Sequence, residues 1–166
     1  MKRQGFTLVE VLLVIVVMAI VLTIATLNFP SMLGKANTEK QAGEILSKIT
    51  TTRLNAMQKK QRSLLMLGPN QFTYKTYSSD NDGVGTTVNT TSYFSEIKRK
   101  NAINGTLTTL NIASDHIEFD SRGFTNNTTT LVVTPVTYGG GLNCIVVQMA
   151  RTSIGRMVDA LTCQKQ

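Results

Sequence analysis

Glu10 is the only charged residue between Phe6 and Phe29. A carboxylate in an apolar helix costs ~2–3 kcal/mol at mid-membrane and usually marks a function. The alternative is that Glu10, one turn from the basic Met1-Lys-Arg-Gln-Gly5, reaches out to the headgroups. Elsewhere the reactive residues are few. His116 is the single histidine, so no Ser/His/Asp triad forms without it and no His-rich metal cluster exists. Cys144 and Cys163 are the two cysteines and form no C-x-x-C, which argues against thiol catalysis. Outside the cytoplasm they would pair, closing a loop of ~20 residues worth ~3 kcal/mol; otherwise they are two unpaired buried thiols. Asp80-Asn81-Asp82-Gly83 has the oxygen-rich character of a calcium loop. It lacks the spacing and terminal Glu of an EF-hand, and Asp-Gly is equally a tight-turn signal. No cofactor or metal is expected, and an enzyme is disfavoured.

The elements that carry these residues divide sharply. The 24 residues Phe6–Phe29, as a helix at ~1.5 Å per residue, reach roughly 36 Å, enough for a hydrocarbon core of ~30 Å. Lys2 and Arg3 place the N-terminus in the cytoplasm, so the chain after about Phe29 lies beyond the inner face. A cleaved secretory signal fits poorly, because its apolar region is ~7–15 residues and ends at an A-x-A-like site. Pro30 predicts a kink or soft break. Ser31 to about Gln61 spaces Met32, Ala36, Ile45, Ile49 and Ala56 between charges, the pattern of an amphipathic helix. From Ser63 the signals change to strands: Ser63–Leu67, Phe72–Thr76, Leu107–Ile112, Ile117–Phe119, Leu131–Val133, Cys144–Met149 and Met157–Leu161. Ser78–Ser92 reads as an exposed loop. The expected fold is α+β, a long N-terminal helix packed on an antiparallel β-sheet domain. Its boundaries are 1–5 leader, 6–29 membrane or filament-core helix, 30–62 amphipathic continuation and 63–166 head.

Composition bounds the partners. The 166 residues are 42% hydrophobic and 16% charged, with a formal net charge of +7, against ~25% charged in a typical soluble protein. The deficit is concentrated in the N-terminal block. Disorder is disfavoured by the remaining Val, Ile and Leu. The basic clusters Lys59-Lys60-Gln61-Arg62 and Lys98-Arg99-Lys100 are either a solvated face or contacts for an anionic partner.

Gly5-Phe6-Thr7-Leu8-Val9-Glu10, directly before the apolar run, resembles the processing site of type IV prepilins and pseudopilins. The resemblance implies cleavage between Gly5 and Phe6 by prepilin peptidase and N-methylation of Phe6. It also implies a subunit-assembly role for Glu10, whose carboxylate meets the Phe6 amine of a neighbour. Arg53-Leu54-Asn55-Ala56-Met57, Ile117–Gly123 and Ser153-Ile154-Gly155-Arg156 resemble the GspH/FimT group at scattered positions. That likeness implies a non-enzymatic minor subunit acting in type II protein secretion or type IV pilus assembly. The implied partners are other pilins or pseudopilins and an inner-membrane assembly platform; the head is then periplasmic or otherwise extracytoplasmic. Some FimT-like minor pilins bind DNA through Gly-Arg-x-Arg. Here Gly155-Arg156-Met157 is followed by Val158, so the second arginine is missing and only Arg156, with Arg151 nearby, is left for a DNA contact.

Overall fold

The computed structural model describes residues 7–79, 82–136 and 140–166, with the backbone alone for residues 24–28. Two compact units result, Met1–Gly34 and Lys35–Gln166.

The helix α1, Leu8–Lys59, opens on Thr7. The Thr7 hydroxyl accepts the Glu10 N–H at 3.3 Å, and its carbonyl accepts Glu10 and Val11 N–H at 3.1 and 3.3 Å. Thr7 is therefore an N-cap, and Thr7-Leu8-Val9-Glu10 has the spacing of a capping box. Pro30 lies inside α1, and the helix runs through it without interruption. A proline forfeits one hydrogen bond and crowds one carbonyl, a local cost after which the turns on either side continue. The helix stops at Lys59 rather than Gln61. Gln61 N–H donates to the Ala56 carbonyl at 3.2 Å while Lys60 takes φ 53°. That is a Schellman closure with lysine in the place glycine usually fills, at roughly 1–2 kcal/mol of backbone strain.

Among the described residues ten strands follow: β1 Ser63–Leu67, β2 Gln71–Thr76, β3 Thr86–Ser92, β4 Ile97–Lys100, β5 Leu107–Thr109, β6 His116–Phe119, β7 Thr129–Val133, β8 Cys144–Val147, β9 Thr152–Met157 and β10 Cys163–Lys165. They form a four-stranded sheet, β3-β2-β1-β6, and a six-stranded sheet, β10-β9-β8-β7-β4-β5, with every pairing antiparallel. The main core joins Ala42, Ile45, Ile49 and Ala56 of α1 to residues such as Leu65, Phe72, Ile117, Leu131 and Ile145 of both sheets. Alternation along the second sheet sends Val132, Cys144 and Met157 to the opposite face, where Leu107, Val136 and Cys163 complete a smaller cluster.

Several strand expectations need correction. Thr86–Ser92 is a strand, not part of a loop: its Thr and Val residues favour extended backbone, and β2 offers an edge to pair with. Lys98-Arg99-Lys100 is strand too, anchored by buried Ile97. The Leu107 and Cys144 strands end early, at Thr109 and Val147. Of the expected Met157–Leu161 strand only Met157 is strand, as the end of β9; residues 158–161 turn the chain toward β10. There Asp159 Oδ1 accepts the N–H of both Leu161 and Thr162 at 2.7 Å, an Asx turn that reverses the chain.

Candidate assembly surface

From Leu8 to Leu22 the side chains of the first unit, Glu10 apart, are apolar on every side. From Leu8 to Leu22 each large hydrophobic is between 49% and 80% exposed, Leu8 the most. A helix apolar all round has no solvated face and needs surroundings that cover all of it. Among the described residues, the Glu10 carboxylate has no partner. Thr23 Oγ1 donates back to the Ala19 carbonyl at 2.7 Å, satisfying its hydroxyl within the helix. Gly5 and Phe6, the residues of the expected cleavage and methylation, lie outside the described residues.

Among the described residues no helix is long and apolar enough to cross a membrane. The expected spanning segment over residues 6–29 is not supported there.

In the second unit, much of what stood out in the sequence is engaged in holding the fold. Cys144 and Cys163 are joined by a disulfide that links the edge strand β10 to β8 across the intervening β9. A side chain at Gly155 would overlap the Gln164 backbone, so Gly155-Arg156 belongs to β9, where β10 crosses closely, and not to a turn. Arg156 Nε donates to Gln164 Oε1 at 3.3 Å. Arg151 is exposed just before β9, roughly 17 Å away along an extended chain, so the two arginines are not brought together.

Gly123 has φ +82°, and a Cβ there would sit 2.8 Å from the Met57 side chain and 3.2 Å from Arg53 Cγ. Two of the scattered motifs, Arg53–Met57 and Ile117–Gly123, are thereby packed on one another. Asp120 builds that turn. Its Oδ1 accepts the N–H of Arg122 and Phe124, both at 2.9 Å, and its Oδ2 accepts the Arg122 guanidinium at 3.0 and 3.1 Å. Burial alone would raise the Asp120 carboxyl; the Phe124 N–H and the Arg122 bonds outweigh it and hold it below its ordinary value.

Asp82 also serves a turn. It takes Ser78 N–H and Oγ–H on Oδ2, and Val84 and Gly85 N–H on Oδ1, at 3.0–3.1 Å. Those donors, Gly85 first, hold its carboxyl well below the usual carboxylate range. Asp80 and Asn81 of the same tetrad lie outside the described residues. The basic clusters are partly neutralised. Arg62 pairs with Glu118 at 3.2 Å, donates to the Asp82 carbonyl at 2.6 Å and stacks 4.0 Å over Tyr77. Lys98 pairs with Glu96 at 3.3 Å, and Arg99 with Asp115 at 2.6 Å. Lys100 is buried, leaving Lys59 and Lys60 exposed. His116 opens β6, exposed, with Nδ1 3.1 Å from the Ser114 carbonyl.

Sequence reasoning missed the Thr7 cap, although the Thr-x-x-Glu spacing was its visible signal. It also missed Gln41. That buried side chain donates from Nε2 to the Ser95 carbonyl at 2.7 Å and accepts Ser95 N–H at 3.0 Å, a long-range clamp with no local signature.

Neither the curated proteins nor the solved structures contain a match to the chain. Residues 1–26 match the model of the prokaryotic N-terminal methylation motif, which supports a type IV pilin-like prepilin with processing at the N-terminus.

Proposed function

We propose that the chain is a non-enzymatic minor subunit of a type IV filament, of the GspH/FimT kind, processed between Gly5 and Phe6 and methylated on Phe6. Before assembly the apolar part of α1 anchors it in the bacterial inner membrane, with the leader at the cytoplasmic face and Lys35–Gln166 outside. In the filament that helix is buried against like helices, and the second unit provides contacts to other pilins or pseudopilins. Glu10 sets register by meeting a neighbour's Phe6 amine. Each of those charges is costly in apolar surroundings without the other. The observation that carries this reading is the exposure of every large hydrophobic from Leu8 to Leu22, a stretch of α1 whose one acid is Glu10. Such a surface is stable only once something covers it.

Mass spectrometry of the membrane-extracted chain tests the processing. The expected mature species has lost Met1–Gly5 and gained one methyl group on Phe6; an intact leader in cells with active prepilin peptidase contradicts it. Glu10→Val is expected to leave membrane association intact while sharply reducing co-sedimentation with filaments. Normal incorporation of Glu10→Val removes the charge-pairing step.

A further inference from the structure

The chain passes from the four-stranded sheet to the six-stranded one between β6 and β7. That crossover is pinned. Phe124 N–H donates to Asp120 Oδ1 at 2.9 Å, Thr125 N–H to the Met149 carbonyl at 2.9 Å and Asn127 N–H to Thr125 Oγ1 at 3.1 Å. Asn127 Oδ1 in turn accepts Glu118 N–H at 3.2 Å. The side chains between these bonds are therefore presented from a fixed backbone.

Three cavities follow the crossover in a row, each sharing lining residues with the next. The first, about 420 Å³, is lined by Phe124, Asn126 and Met149 and by Glu118 and Asp120. The second, about 150 Å³, shares His116 and Asn127 with it. The third, about 480 Å³, shares Arg99, Thr128 and Thr129 with the second and adds Thr108, Thr130 and Gln148. The two larger ones fall in the range of about 300–1,000 Å³ that takes small ligands. Residues 124–130 span at most about 20 Å, so the row is a trough rather than a single hole.

Its charged groups are already matched. Arg62 pairs with Glu118, Arg122 with Asp120 and Arg99 with Asp115, at 2.6–3.2 Å. Buried Lys100 has Asp159 near it. Among the lining residues themselves, Arg99, Lys100 and Arg122 balance Asp115, Glu118 and Asp120. The uncharged polar groups are the reverse. Among the described residues, the side chains of Thr108, Ser114, Asn126, Thr128, Thr130 and Gln148 make no hydrogen bond to the protein. All but the half-buried Thr130 are exposed, so an incoming group can reach them. Apolar surface is offered as well: Arg122 lies over the Phe124 ring, 5.7 Å from its centroid, yet Phe124 is still 40% exposed and Met149 57%.

A ligand hydroxyl both donates and accepts, so it satisfies amide and Ser/Thr groups in either sense. The C–H faces of a sugar ring cover Phe124 and Met149. A net charge on the ligand gains nothing from a balanced trough. An added β-strand finds little to pair with, because the N–H groups of Phe124, Thr125 and Asn127 are already spent. We propose that the trough along residues 124–130 binds an uncharged saccharide chain. Asn126, Phe124 and Met149 hold one end of it, and Thr108, Thr130 and Gln148 hold the other. The pinned crossover leaves little backbone to order on binding. This site does not depend on the filament reading above.

The test is isothermal titration of the full-length chain in a polyoxyethylene detergent, which has no sugar headgroup. The probes are cellohexaose, N-acetylchitohexaose and hexagalacturonate. At least one of the two uncharged hexamers is expected to bind with Kd of about 1 mM or tighter, and hexagalacturonate about tenfold or more weakly; which uncharged hexamer binds better separates a plain hexose chain from an N-acetylated one. Asn126→Ala and Gln148→Ala, in the first and third cavities, are each expected to weaken binding about fivefold or more with thermal unfolding unchanged. Asn37→Ala, outside the trough, is expected to leave it unchanged. No binding of either uncharged hexamer, tighter binding of hexagalacturonate, or equal binding of an uncharged Ser/Thr peptide overturns the proposal. So does a loss at only one of positions 126 and 148, which would leave a single pocket and no seat for a chain.

Discussion

The two halves of α1 solve burial in opposite ways. In Lys35–Lys59 the apolar residues Ala42, Ile45, Ile49 and Ala56 are fully buried on one face, and charges such as Lys40, Glu44 and Lys48 take the others. In Leu8–Leu22 the apolar residues cover every face and all are exposed. One half completes its core within its own chain. The other carries comparable apolar content but must find its surroundings elsewhere. Hydrophobicity alone thus does not say where a helix is buried; its angular distribution does.

The sharpest way to break this contrast is a matched pair of truncations. Ile45→Ala is expected to cost about 2–5 kcal/mol in denaturant unfolding of the full chain, because it leaves a cavity in the main core. Ile15→Ala is expected to stay within about 0.5 kcal/mol in the same assay, since Ile15 is 62% exposed, while weakening filament incorporation. Equal losses of folding stability at both positions would end the distinction. A smaller effect probes the seam between the buried half and the sheets. Gly123→Ala forces a Cβ into the left-handed region and against Met57 and Arg53. About 1–2 kcal/mol of backbone strain is expected, read as a lower urea midpoint with the slope unchanged. A neutral result would mean that the turn yields easily.

The smallest effect concerns pH and belongs to the second unit. Asp82 and Asp120 have folded carboxyl values below their unfolded ones. Their contribution is present above the unfolded value of about 4 and is lost as pH falls through the folded values. Stability should therefore decline from about pH 4 downward. Asp82→Asn is expected to lower the urea midpoint at pH 7 and to flatten its decline between pH 5 and 2. An unchanged slope would place the acid sensitivity on other groups.

The α+β order and most strand positions were legible, because Ile117, Phe119, Leu131–Val133 and Cys144–Val147 announce buried strands by local pattern. β3 and β4 were not. Thr, Asn and Ser in one, and three basic residues in the other, look like surface chain until a partner strand is known. Pro30 does not interrupt α1, because a proline's cost is local while helix continuity depends on the turns around it. For the basic clusters the partners were the illegible part: Glu118, Glu96 and Asp115, which pair with Arg62, Lys98 and Arg99, are recognisable only after the strands are in register.

Taken alone, the order of residues determined the apolar block, its lone acid, the capping spacing at Thr7 and the methylation motif. All of these are local in the chain and need no folding to be read. Tertiary structure decided which face of Lys35–Lys59 is buried, which strands pair and which charges are neutralised. Each depends on residues far apart in sequence meeting at hydrogen-bond distance, and no local pattern encodes that meeting.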